Sequence, residues 1–166
     1  GVVSTTAASG LVAGTAAITA TATHGGGSTS EFAPQATSTA LAAMQNGDFE
    51  TGPSAGPTFI TLNTGNAVGL PGWMVTGNSI EVIGSYWQHA EGTRSLDLSG
   101  NGRGGVAQAV PTVSGQIYTV RFAMATNMGC GGNPKVLRAS ALGNGQTTSQ
   151  TYSLDGSSSR SPAPSR

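Results

Sequence analysis

The chain has 166 residues, only 8% of them charged, and its seven basic and seven acidic side chains cancel. That length suits one domain, and the absence of a basic field removes the counterion-release term that nucleic-acid binding depends on, so no nucleic-acid partner is expected. With 26 glycines and few charged helix formers, short strands and turns are favoured over long helices.

Residues 1–30 contain no Asp, Glu, Lys or Arg. Within them 11–22, LVAGTAAITATA, is a small-residue apolar run ending in Ala20-Thr21-Ala22, the pattern of a secretory leader and its cleavage site. A plain Ala/Thr/Gly tail is the competing reading. The run is too short and too rich in Thr and Gly to span a bilayer, so no transmembrane segment is expected. Residues 24–39 read as a flexible Ser/Gly linker. The expected organisation is a leader remnant and linker over 1–39, a folded domain over 40–155 and a disordered Ser/Pro/Arg tail over 156–166.

Strand patterns follow at 58–62, 73–76, 79–83, 94–99, 105–110, 116–125, 135–142 and 148–154, separated by turn residues such as Gly65-Asn66, Pro71-Gly72, Gly77-Asn78 and Asn144-Gly145. Many short, regularly punctuated strands predict an all-β antiparallel sandwich. Alternation sets Tyr118, Val120, Phe122 and Met124 on one face and Thr119, Arg121 and Ala123 on the other. Leu96 and Leu98 likewise oppose Ser95, Asp97 and Ser99. The glycine-rich run 100–105 formally satisfies GxGxxG, but it leads into a strand rather than a phosphate-binding helix, and reads as a hairpin loop.

The loop between 79–83 and 94–99 gathers aromatic, amide and charged groups in a chain poor in charges and aromatics: Tyr86, Trp87, Gln88, His89 and Glu91, with Arg94 opening the next strand pattern. Flat rings cover the apolar faces of sugars while nearby amides and charges bond their hydroxyls. The competing reading buries at least one ring of the Tyr86–Trp87 pair under the loop. Arg94 is expected to fork onto Glu91 or a ligand hydroxyl. Trp73, just after a turn, reads as a core side chain. Asn46 to Glu50, NGDFE, reads as a turn in which Glu50 bonds backbone groups; a structural calcium would draw on Glu50, Asp48 and Asp97, which supply only part of the six to eight oxygens calcium needs.

Cys130 is the single cysteine, so an intrachain disulfide and a multi-cysteine zinc site are excluded. Set among glycines with no cation just before it, it reads as an inert loop thiol. His89 is the one histidine in the expected domain, so a multi-histidine metal centre is excluded there. No GxSxG elbow accompanies it. Carboxylate pairs drawn from Asp48, Glu50, Glu81, Glu91 and Asp97 have no separation fixed by sequence, which is what glycosidase chemistry turns on. No enzyme is expected.

The motifs NGDFETGP at 46–53, LPGWMVTGNSIEVIGSYWQHAEGTRSLDLSGNGRGGVAQAV at 70–110 and GQIYTVRFAMA at 115–125 closely resemble the bacterial choice-of-anchor C proteins. More remotely they resemble plant cell-wall proteins grouped as a domain of unknown function with a galactose-binding-like fold. The resemblance implies a jelly-roll β-sandwich, secretion or display at the cell surface, and polysaccharide binding without catalysis. The closing strands of that pattern are not recognisable after Asp155, so a sandwich truncated at its C-terminal side is expected. The functional expectation is a carbohydrate-binding-like module for a polysaccharide or cell-wall glycan, the alternative being a structural or adhesive domain that binds a protein.

Overall fold

The computed structural model describes residues 14–23, 33–36, 44–114, 116, 118–127 and 134–155. Among them are ten strands and no helix: β1 (Gly14–Thr23), β2 (Ala33–Ala36), β3 (Phe59–Asn63), β4 (Met74–Gly77), β5 (Ser79–Ile83), β6 (Ser95–Asp97), β7 (Gly104–Thr112), β8 (Val120–Ala123), β9 (Lys135–Gly143) and β10 (Gln146–Leu154). Each expected strand pattern from residue 58 onward has its counterpart. β8 is shorter than the 116–125 pattern, and Arg94 stands just before β6 rather than inside it. The stretch 1–39, expected to hold a leader remnant and a flexible linker, contributes β1 and β2. Cys130 and the 156–166 tail lie outside the described residues.

All the strand pairings are antiparallel and form three sheets, ordered β10-β9-β1-β7-β4, β3-β5-β6 and β2-β8. Leu62, Ile80, Val82 and Leu96 from the three-stranded sheet share one core with Val75, Val106 and Leu137 from the five-stranded sheet and Phe122 from β8. This is a β-sandwich, since each sheet meets the other across its apolar side. Each fully buried side chain of this size stabilises the fold by about 1.5–3 kcal/mol. Phe122 and Met124 are buried while Arg121 is exposed, as the alternation requires. β6 departs from it: Ser95 and Asp97 are buried as well as Leu96, so this strand is covered on both sides.

The 100–105 run is not a hairpin. It carries the chain from β6 in one sheet to β7 in the other. The crossing is pinned to the β4–β5 corner, where Gly100 N donates to Ser79 O at 3.2 Å and Asn78 N to Arg103 O at 2.7 Å. A Cβ at Gly104 would collide with the Ser79 carbonyl, so only glycine allows the two sheets to meet here.

Candidate functional site

Two knots from residues 44–58 position the candidate site, and the first seals a pair of rings into the core. Gln45 N donates to Gln108 Oε1 at 2.7 Å and Gln108 Nε2 donates back to Gln45 O at 2.8 Å, so a side-chain amide pairs this segment to β7 as a neighbouring strand would. Asn46 has φ 48°, a left-handed conformation that Asn tolerates better than most residues. Its amide closes the turn: Oδ1 accepts from Thr51 N at 2.8 Å, and Nδ2 donates to Thr51 O at 3.0 Å and Pro71 O at 2.9 Å. Phe49, with φ 61°, pays for its strained backbone by complete burial beside Trp73, ring centroids 5.4 Å apart. Trp73 is a core residue as expected, its Nε1 donating to Asn46 O at 2.9 Å.

The second knot clamps the 84–94 loop at both ends. At its start Gly84 N donates to Thr58 O at 2.9 Å and Ser85 N to Gly56 O at 3.0 Å. At its end the Glu50 carboxylate accepts from Thr93 N at 2.8 Å, Thr93 Oγ1 at 2.5 Å and Arg94 N at 2.9 Å. Arg94 answers by donating Nη2 to Gly52 O at 3.0 Å. Gly92, at φ 69°, lets the carboxylate come this close, because a Cβ there would run into Glu50. Burial alone would raise the Glu50 carboxyl, but the Thr93 hydroxyl, the Thr93 and Arg94 amides and the Arg94 charge together hold it below the ordinary glutamate range.

Between the clamps the loop presents its rings beside a third. The β3–β5 register sets Phe59 opposite Ile83, the last residue before the loop. Phe59 and Tyr86 meet edge to face, centroids 6.1 Å apart and planes at 72°, and Tyr86 and Trp87 are tilted at 48° with centroids 5.7 Å apart. Tyr86 is 58% and Phe59 44% exposed, and Trp87 is half-buried. Of the Tyr86–Trp87 pair, one ring faces solvent and the other is partly covered. Phe59 was not among the expected site residues. Its signal is a phase error: it shares alternation with the polar Thr61 and Asn63, opposite the apolar Ile60 and Leu62, so it is an aromatic residue on a polar strand face.

The remaining residues distribute unevenly. Gln88 and Glu91 are exposed, while His89 and Arg94 are half-buried. His89 Nδ1 and Arg94 Nη1 are enclosed without a hydrogen-bond partner. The expected Arg94–Glu91 fork is replaced by the bond to Gly52 O, because the clamp turns the guanidinium toward the 50–53 segment. Of the carboxylates considered for calcium, Asp48 Oδ1 accepts from Glu50 N at 3.3 Å, Glu50 is taken up by the clamp, and Asp97 lies buried in β6 with Oδ1 on Ser99 N at 2.8 Å. Among the described residues no three of His, Cys, Asp and Glu group around a metal position. Glu81 and Asp97 are register partners. Burial raises the Glu81 carboxyl, with the Thr61 hydroxyl acting against it.

An all-β sandwich with an aromatic loop clamped at both ends is the class these features define. The family described as "Protein of unknown function (DUF642)" matches residues 42–163, and the chain belongs to that family. Halomucin from Haloquadratum walsbyi is 33% identical over 82 residues, covering 48% of this chain and 1% of halomucin, so the chain spans about one hundredth of that relative's length. No solved structure matches the chain. No helix among the described residues is long and apolar enough to cross a membrane.

Proposed function

We propose that this domain binds a polysaccharide or cell-wall glycan along the Phe59–Tyr86–Trp87 row without chemically altering it. The observation that carries the reading is that Tyr86 stands exposed on a loop clamped at both ends, with the exposed Phe59 of β3 on one side of it and the half-buried Trp87 on the other. A preordered apolar surface avoids the entropy cost of organising a flexible loop around a ligand. Gln88 and Glu91 offer hydroxyl partners at its margin. An enclosed, unpaired polar atom costs about 1–3 kcal/mol, and an ordered water beside His89 Nδ1 or Arg94 Nη1 would relieve that cost. Catalysis is disfavoured because Glu50 is committed to Thr93 and Arg94, and Asp97 lies inside the sheet.

A secreted or cell-surface setting belongs to the same reading. It is supported by the family membership and the likeness to halomucin. The galactose-binding-like jelly roll and the kinship with choice-of-anchor C proteins enter here on the strength of the sequence motifs.

The test is retention of the purified chain on a panel of immobilised plant and microbial polysaccharides. The wild type is expected to be retarded by at least one of them. The Phe59→Ala, Tyr86→Ala double variant should melt normally yet bind about tenfold more weakly, which corresponds to roughly 1.4 kcal/mol for two stacking rings. Equal retention of the two proteins removes the site. No retention by any glycan, with specific capture of a protein that the double variant loses, replaces this reading with the adhesive one.

A further inference from the structure

β1 is held on both sides by strands distant from it in the chain. Its register runs from Gly14↔Thr112 to Thr21↔Gly105 on β7 and from Ala17↔Leu142 to Thr23↔Val136 on β9. In the sheet order β10-β9-β1-β7-β4, β7 and β9 are not neighbours, so β1 alone joins the β4–β7 half to the β9–β10 half. Both flanking strands lie within the family match at 42–163, and β1 lies outside it. The family portion of the chain therefore frames a slot one strand wide whose occupant comes from elsewhere.

The occupant segment suits such a slot. GTAAITATAT contains no charge and no proline, and Thr15, Thr19, Thr21 and Thr23 alternate with Ala16, Ile18, Ala20 and Ala22 at the period of a strand. The register sets Ala16, Ala20 and Ala22 opposite Val110, Val106 and Leu137, all buried. No hairpin ties β1 to either partner. Residues 24–32 separate it from β2 and can reach about 30 Å when extended.

We propose that the β7–β9 slot is a strand-acceptor site and that a second copy of this chain can fill it with its own Gly14–Thr23, linking copies strand by strand. Exchange preserves every backbone bond of the closed form and changes only which chain supplies the strand. The balance between closed and linked forms is therefore set by concentration and by the tether. Donor strand and acceptor slot are different surfaces, so the contact is heterologous and builds rings or open chains.

Full-length chains carrying Cys130→Ser test this directly. One population carries Ala17→Cys and another Ala109→Cys, at positions opposite each other in the register; they are mixed and treated with a short bifunctional thiol reagent. A cross-linked heterodimer is expected, its fraction rising with concentration and falling when a synthetic peptide of residues 14–23 is added, but not when that peptide carries Ile18→Pro. A chain bearing both cysteines is the companion measurement. If it cross-links within itself while the mixture gives no heterodimer, β1 is a fixed strand of its own domain and exchange is refuted. If neither cross-links, β1 does not occupy the slot and the proposal also fails.

Discussion

Phe49 and Trp73 are 0% and 2% exposed, whereas Phe59 and Tyr86 are 44% and 58% exposed, yet both groups are fixed from the same 44–58 stretch. In the first group the polar contacts of Asn46 close over the rings, and Trp73 spends its indole N–H on a backbone carbonyl. In the second they hold the backbone of the loop and leave the rings outside. Aromatic residues alone therefore do not mark a site here. What separates core from surface is whether the hydrogen bonds of this stretch close over the rings or hold the backbone on either side of them.

The largest test of that distinction is Trp73→Ala. Removing a fully enclosed indole leaves a cavity and strips Asn46 O of its donor, so a loss of about 3–5 kcal/mol is expected in urea unfolding. Asn46→Ala comes next. It deletes three hydrogen bonds and puts alanine at a positive φ, so a loss of about 2–3 kcal/mol is expected, at roughly 1 kcal/mol per bond. A cost below about 0.5 kcal/mol for either variant would mean the first knot does not hold the core rings.

Most of the sandwich was legible because its strands alternate cleanly between turn residues: Phe122 and Met124 face the core and Arg121 faces out, as their spacing requires. β1 was hidden by its composition. A run of Ala, Thr and one Ile has little hydrophobic contrast, so the same residues fit a leader as well as a strand. The clamp was half legible. Glu50 was expected to bond backbone groups, but those groups belong to Thr93 and Arg94, more than forty residues away, and local patterns carry no information about such distant partners. The same limit turned the 100–105 crossover into a hairpin and gave Arg94 to Glu91 instead of Gly52. Phe59 joined Tyr86 only through strand register.

Acid titration sharpens the comparison at smaller energies, because the clamp is ionic and the core knot is not. Glu50 has a lowered folded-state pKa, so it adds stability above the ordinary glutamate value of about 4.3 and loses that contribution as pH falls through the folded value. Glu50→Gln should therefore melt below wild type at neutral pH, with the two curves converging in acid. Glu81 has the opposite sign: its raised pKa makes ionisation cost stability as pH climbs from the ordinary value through the folded one. Glu81→Gln should match wild type in strong acid and melt slightly higher at pH 7. A neutral-pH melting point for Glu50→Gln equal to wild type would show that the Thr93 and Arg94 contacts do not fasten the loop.

The smallest perturbation needs no change in stability at all. The chain has two tryptophans, one in each aromatic group, so collisional quenching of their emission by acrylamide reads the comparison directly. Trp73 is sealed and should emit at short wavelength with little quenching, while Trp87 is half-buried beside an exposed ring and should be quenched readily. Tyr86→Ala uncovers one side of Trp87, so quenching should steepen while unfolding free energy stays within about 0.5 kcal/mol of wild type, as for most surface substitutions. In Trp87→Phe the remaining emission should be shielded and insensitive to a further Tyr86→Ala. If that single tryptophan is quenched as readily as wild type, Trp73 is open to solvent and the division between sealed and presented rings collapses.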